Sequence, residues 1–295
     1  MKLQTLVDCG NSHVGISYGD KILVLGSCFA DGIGQKLIEA GFDALVNPFG
    51  TLYNPESVFS ALERLSSGKA FVASDCEPMG AGACLICSFH HHTSFARATT
   101  EEFLENANDS LSKACDFFKS CNKVIITLGT AFCFKYLKSG EVVANCLKRP
   151  AGEFERYRLS QERVVELLRT MVEANPDKKF IFTVSPVRHM ADTAHGNQLS
   201  KSLLLLSESE ICEAYADRCE YFPAYEILLD ELRDYRFYAE DMVHPSAQAI
   251  RYIWEKFIDF AVPIPERERL LQNEKIYRQS QHRTMLRRGS RLQNI

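Results

Sequence analysis

Five short apolar runs punctuate the chain, at residues 22–25, 44–46, 124–128 and 180–184, with a weaker one at 221–222. Turn residues bound each run, and stretches of helical periodicity lie between them, near 29–40, 55–66, 101–119, 160–174, 199–216 and 245–260. Strand and helix alternate, which predicts an α/β unit built on a mostly parallel sheet of about five strands with crossover helices.

Two segments break the alternation. Residues 67–98 are rich in Gly, Ser, Cys and His, and residues 131–158 include "FCFKYLKSGEVVANC", which reads as a hairpin turning at Ser139-Gly140. Both are expected to be insertions at the rim of the sheet. Residues 1–264 then form one unit, and 265–295 a basic tail in which Lys275, Arg278, Arg283, Arg287, Arg288 and Arg291 meet no acidic residue. A charge run of this kind is ordinarily a solvated helix or a frayed end. The single Trp254, on the last predicted helix of the unit, is expected in the core.

Composition narrows the partners. With 295 residues, 46% of them hydrophobic and 24% charged, the chain has room for a sizeable core. A formal charge of −4 gives no overall attraction to nucleic acid or to an anionic membrane. The first twenty residues contain no apolar block of the signal-peptide kind, and no window approaches the ~20 apolar residues of a spanning helix. A cytoplasmic protein with neither nucleic acid nor membrane as partner is expected. The eleven cysteines, an odd number without an export signal, are expected as reduced thiols.

Candidate chemistry begins at "KILVLGSCFADGIG", where the first apolar run meets Gly26-Ser27-Cys28. In an open parallel sheet, ligands bind at the carboxyl ends of strands, and a side chain on a sharp strand-to-helix turn there stands beside helical N–H groups. Far downstream, "YAEDMVHPSAQAIRYIWEKF" sets Asp241 and His244 three apart, just ahead of a helix. One short turn can thereby supply a base and the carboxylate that orients it, as a nucleophilic Ser-His-Asp or Cys-His-Asp site requires.

With "GSCFA" at residues 26–30, the chain resembles the GSCFA-domain family, bacterial members of the SGNH/GDSL-like hydrolase superfamily. Further family-like segments are "NPFGTLYNP" (47–55), "LGTA" (128–131), "VANC" (143–146), "SPVRH" (185–189) and "RFYAEDMVHPS" (236–246), so the resemblance covers about residues 20 to 262. It implies a flavodoxin-like three-layer (αβα) fold and ester-type chemistry through a covalent acyl-enzyme on a small acylated substrate, with no cofactor. The Gly-Asp-Ser-Leu block falls without a gap on residues 26–29, which puts Cys28 at the nucleophile position and Ser27 at that of the aspartate. Shifting the register by one makes Ser27 the nucleophile instead, and the ungapped alignment favours Cys28. His244 takes the place of the general base and Asp241 that of its orienter. The backbone N–H of Gly50 corresponds to the second block's oxyanion donor. The third block lacks its Asn, and Thr130 or Asn145 is left to substitute.

The thiol chemistry carries a further expectation. An ordinary thiol of pKa ~8.5 is only slightly ionised at neutral pH, so an imidazole and a helix N-terminus meeting at Cys28 would favour the thiolate. The run "CLICSFHHH" (84–92) holds metal-ligand types, yet it has no second Cys-x-x-Cys, and residues three apart on a strand face opposite ways, so no metal site is expected. Instead His91 and His92 are expected at the rim in contact with substrate, and Arg188 and His189 at the end of the fourth run. The rival from another class is a catalytically silent binding module of the same fold, holding an anionic or carbohydrate-like ligand.

Overall fold

The computed structural model describes residues 4–80, 82 and 84–292, with side chains to residue 280. The five apolar runs become one parallel sheet: β1 (Lys21–Gly26), β2 (Asp43–Val46), β3 (Lys123–Leu128), β4 (Lys179–Val184) and β5 (Cys219–Tyr221). Their spatial order is β2-β1-β3-β4-β5, and every pairing is parallel. This is the flavodoxin-like order, whose topological switch point lies between β1 and β3.

Why the sheet is buried on both faces is legible in β1 itself. Leu23 and Leu25 point into a core with Val58, Phe103, Leu167 and Leu204, while Ile22 and Val24 point into a second core with Phe29, Ile33, Trp254 and Phe257. Strand side chains alternate sides, so an unbroken apolar run requires a helical layer on each face. One layer contains α2 (Pro55–Ser67), α3 (Thr100–Ser120), α4 (Gln161–Glu173) and α5 (Thr193–Ala214). The other contains α1 (Cys28–Glu39), α6 (Ala247–Ala261) and the start of α7 (Ile264–Leu292). The three-layer α/β fold is therefore as expected, and Trp254 is in the core.

The insertions take the form of small antiparallel sheets. Residues Glu77–Met79 pair with Leu85–Cys87, and Phe132–Tyr136 pairs with both Val142–Val143 and Phe154–Arg158. Gly140 turns the hairpin at a φ of 77°, with its N–H donating to the Tyr136 carbonyl. Arg156 of this sheet pairs with Asp192 just before α5, which ties the insertion to the edge where β4 ends.

The tail departs from a solvated or frayed end over its first turns. Leu270 is 1% exposed, Asn273 donates to the Ala40 carbonyl, and Glu274 accepts from the Trp254 indole. Hydrophobic burial of one face docks the helix, a feature its run of charges hides. The side chains of Arg283, Arg287, Arg288 and Arg291 lie outside the described residues. Among the described residues no helix is long and apolar enough to cross a membrane.

Candidate active site

At the end of β1 the chain must turn sharply while still bonded to β3. Gly26 does this at a φ of 138°, and a Cβ there would lie 2.1 Å from the Thr127 carbonyl oxygen, so no other residue fits. Ser27 follows as the N-cap of α1. Its hydroxyl is fully buried and accepts from the Phe29 N–H at 3.3 Å. Cys28, the first helical residue, is partly exposed. Of the two nucleophile candidates, Ser27 is engaged in capping, while Cys28 is partly exposed and packs against the second core.

The Cys28 thiol does not behave as the sequence suggests. Its pKa is pushed up, first by burial and then by the Asp31 carboxylate, against the opposing pull of the Cys28 and Phe29 N–H groups and of Lys201. The helix N-terminus does favour the thiolate, as expected, but Asp31 sits three residues on, on the same helix face, and opposes it. Asp31 is itself held by Asn47, whose Nδ2 donates to it at 2.6 Å while its Oδ1 accepts the Gly26 N–H at 2.8 Å. Asn47 thus ties together the Gly26 and Asp31 ends of this strand-to-helix turn. Its position before a proline marks a turn, and no more than that was readable.

The second half of the site is the turn between residues 238 and 246. Asp241 Oδ2 lies 2.6 Å from His244 Nδ1, and Oδ1 accepts the N–H groups of Val243 and His244 at 2.9 and 3.0 Å. These bonds, the His244 N–H first, hold the Asp241 pKa down to about 2, so the carboxylate is ionised at any ordinary pH. Both side chains are about half exposed. Arg188 anchors the turn: its N–H donates to the Val243 carbonyl at 3.1 Å and its guanidinium to the Met242 carbonyl at 3.0 Å. Met242 is in the left-handed region at a φ of 58°, the conformation this tight turn imposes. Arg188, expected to hold substrate, is thereby a tie between β4 and the Asp-x-x-His turn.

His189 connects the two halves. Its Nε2 lies 3.2 Å from the point where a side chain on Gly129 would begin, and the Ser27 Cβ lies 3.4 Å from the same point. The His244 charge, after burial, Lys201 and Arg156, helps push the His189 pKa down to about 3. The ring is therefore neutral, and its Nε2 is buried without a hydrogen-bond partner among the described residues. Beneath it, the fully buried Lys201 donates to the carbonyls of Gly129 and Ser185, both at 2.6 Å, joining the ends of β3 and β4. Burial pushes its pKa down to about 7, while the charges of Glu208 and Cys28 act in the opposite direction. In the helix-opening segment "NQLSKS" Lys201 reads as a polar contact at this edge, while its complete burial is not readable from the sequence.

The expected oxyanion donors are placed differently. The Gly50 N–H already donates to the Asn47 carbonyl at 2.8 Å, and a Cβ there would lie 2.3 Å from the His92 Cβ, so this glycine makes room for a histidine. The Thr130 N–H donates to the Tyr53 carbonyl, and its hydroxyl pairs with Ser200 at 3.1 Å. Asn145 accepts from the Leu147 N–H with its Oδ1 in the loop after the hairpin. His91, expected at the rim, is fully buried against Phe71 and Phe95 with Nδ1 on the Ser88 hydroxyl. Apolar packing has taken it out of a substrate's reach, and burial pushes its pKa down to about 3. His92 stays partly exposed over Gly50, its charge reaching Asp31. Cys84, just before the Leu85–Cys87 strand, is exposed, and Cys87 at its end is buried.

The model of the GSCFA family matches residues 21–257, from the first strand through the last sheet-covering helix. The chain belongs to the GSCFA family. Among solved structures, this GSCFA protein is similar to an acetyl xylan esterase from the rumen bacterium Butyrivibrio proteoclasticus. The identity is 12%, with 83% of this chain and 63% of that one covered and a TM-score of 0.39. The chain thus spans under two thirds of that esterase's length. No curated protein matches it by sequence.

Proposed function

We propose that this GSCFA protein is an acyl-ester hydrolase or acyltransferase that works through a thioester on Cys28. The observation that carries this proposal is the Asp241–His244 pair, closed at 2.6 Å, with its carboxylate fixed by two backbone N–H groups at the sheet edge where Cys28 opens a helix. His244 Nε2 takes the thiol proton as Cys28 Sγ bonds to the ester carbonyl. The same proton then goes to the departing alkoxide. Asp241 holds Nδ1 and stabilises the imidazolium that forms in between. Water hydrolyses the resulting thioester, or an acceptor hydroxyl or amine takes the acyl group.

Because burial and Asp31 keep the resting thiol protonated, ionisation is coupled to attack, in the manner of a serine enzyme rather than of a preformed thiolate–imidazolium pair. For the oxyanion, Gly50 gives way to the Cys28 N–H, which has no intrahelical acceptor at the first helical position. The neutral His189 ring, in its Nε2–H tautomer, takes the role of the absent Asn. A buried donor without a partner costs about 1–3 kcal/mol, which an arriving oxyanion would recover. The occupied Gly50 N–H and the raised thiol favour one other reading, a silent binding module.

A screen of p-nitrophenyl esters and acyl thioesters separates the two. Turnover that survives Ser27→Ala and vanishes in Cys28→Ala is expected. No turnover and no covalent adduct across the screen would leave the binding module.

A further inference from the structure

A cavity of about 550 Å³ opens beside the Asp-x-x-His turn, within the size range of small-molecule sites. Arg188 and Asn197 are on its wall. Arg188 is the residue that anchors Met242 and Val243, and Asn197 Oδ1 accepts the His189 N–H at 2.9 Å. Whatever fills the cavity therefore lies against the elements that position both histidines.

The opposite wall is irregular in a specific way. Residues Ile227–Leu232 form a π-helix, ended by Arg233 in the left-handed region at a φ of 37°. Both conformations are costly and concentrate at functional sites. Here they aim Asp230, Arg233 and Tyr235 into the cavity.

Its chemistry is charge-balanced. Arg233 is paired with Asp230 at 2.9 Å, and the Arg188 guanidinium is engaged by the Met242 carbonyl and lies 5.3 Å from the centre of the Tyr238 ring. Asp234 accepts the Arg236 N–H. What remains on offer is aromatic and neutral: the rings of Tyr225, Tyr235 and Tyr238, Tyr235 being 67% exposed, beside the amide N–H groups of Asn197 and Gln198, whose oxygens accept from the His189 N–H and the Tyr225 hydroxyl. Flat rings with neutral donors and acceptors suit a ligand that has an apolar face and many hydroxyls.

We infer that this cavity binds the non-acyl part of the substrate, and that this part is a neutral, polyhydroxylated ring of monosaccharide size. The inference rests on the acyl-transfer reading of the adjoining site, and the acyl group would be carried on a ring hydroxyl.

The test uses the full chain and two readouts. In the first, ethyl acetate, whose ethyl group is too small to fill the cavity, and O-acetylated methyl glucoside are compared as substrates. Tyr235→Ala is expected to leave kcat/KM for ethyl acetate within about twofold and to lower it for the acetylated sugar at least about tenfold, mainly through KM. Equal loss on both substrates, or turnover of ethyl acetate alone, would overturn the inference. The second readout is saturation-transfer NMR with unacetylated methyl glucoside and methyl galactoside, which needs no catalysis. Sugar binding lost in Tyr235→Ala, without turnover of any ester, would uphold the cavity and reject the acyl-transfer reading. Ester turnover without sugar binding would do the reverse. Tighter binding of glucuronate than of methyl glucoside would contradict the charge-balance argument.

Discussion

The two halves of the candidate site are built on opposite physical plans. The Gly26-Ser27-Cys28 turn is part of the core: Gly26 and Ser27 are bonded to β3, Asn47 holds the strand end, and the Ser27 hydroxyl is fully buried. The Asp241–His244 pair is half exposed and, beside the packing of Val243 against the second core, is held by hydrogen bonds within the turn and to Arg188. Rigidity in the first comes from burial, and in the second from a closed set of polar contacts. Changes at the first should therefore register mostly as lost stability unless they remove the reacting atom. Changes at the second should register mostly as lost rate.

The largest expected effect is at the exposed turn. His244→Ala should lower kcat by about 10²–10⁴-fold with little change in melting temperature. Asp241→Asn should cost much of the same, and the double variant little more than the worse single one, because the pair works as a unit. Additive losses would break the pairing. Next, Arg188→Ala should lower kcat about ten- to a hundredfold by letting the turn drift, with partial recovery in Arg188→Lys, since a misplacement of about 1 Å suffices for such a loss. An unchanged kcat would show that the turn holds itself.

Smaller effects sharpen the other half. The thiolate is the alkylated form, so a raised pKa means slow iodoacetamide labelling of Cys28 at neutral pH, rising only above the ordinary thiol value of ~8.5. Asp31→Asn removes the opposing charge and should speed labelling at pH 7 a few-fold, read by peptide mass mapping. Slower labelling would contradict the electrostatic assignment. The smallest effect is Ser27→Ala, which should cost about 0.5–2 kcal/mol of stability through the lost cap while turnover persists. Chemical denaturation measures the first and the ester assay the second.

How much of this was readable beforehand follows from what each feature depends on. The five strands and the Asp-x-x-His turn are local patterns, set by residues close in sequence, whereas the flavodoxin-like layering is what the family resemblance implied. Gly26 and Ser27 were placed for the same reason. Long-range packing decided the rest. Nothing near "HHH" says that His91 will be enclosed by Phe71 and Phe95 while His92 stays over Gly50. Nothing in "NPFGT" says that the Gly50 N–H will be taken up by the Asn47 carbonyl three residues back, although the turn itself was foreseeable. "NQLSKS" offers Lys201 as a polar contact but not as a buried one, because its partners, the Gly129 and Ser185 carbonyls, lie 72 and 16 residues away. Arg188 was seen at the right edge but given a substrate instead of a carbonyl, since both present the same hydrogen-bond acceptor to a guanidinium.

The central claim is that the reacting atom is the Cys28 sulfur, and one measurement addresses it directly. Protein quenched with acid during steady-state turnover of p-nitrophenyl acetate, digested and mapped by mass spectrometry, should carry one acetyl group on the peptide containing residues 26–30. That group should be released by neutral hydroxylamine, as a thioester is, and be absent in Cys28→Ala. An acetyl group on the same peptide that persists in Cys28→Ala and resists neutral hydroxylamine would put the ester on the Ser27 oxygen and contradict the claim.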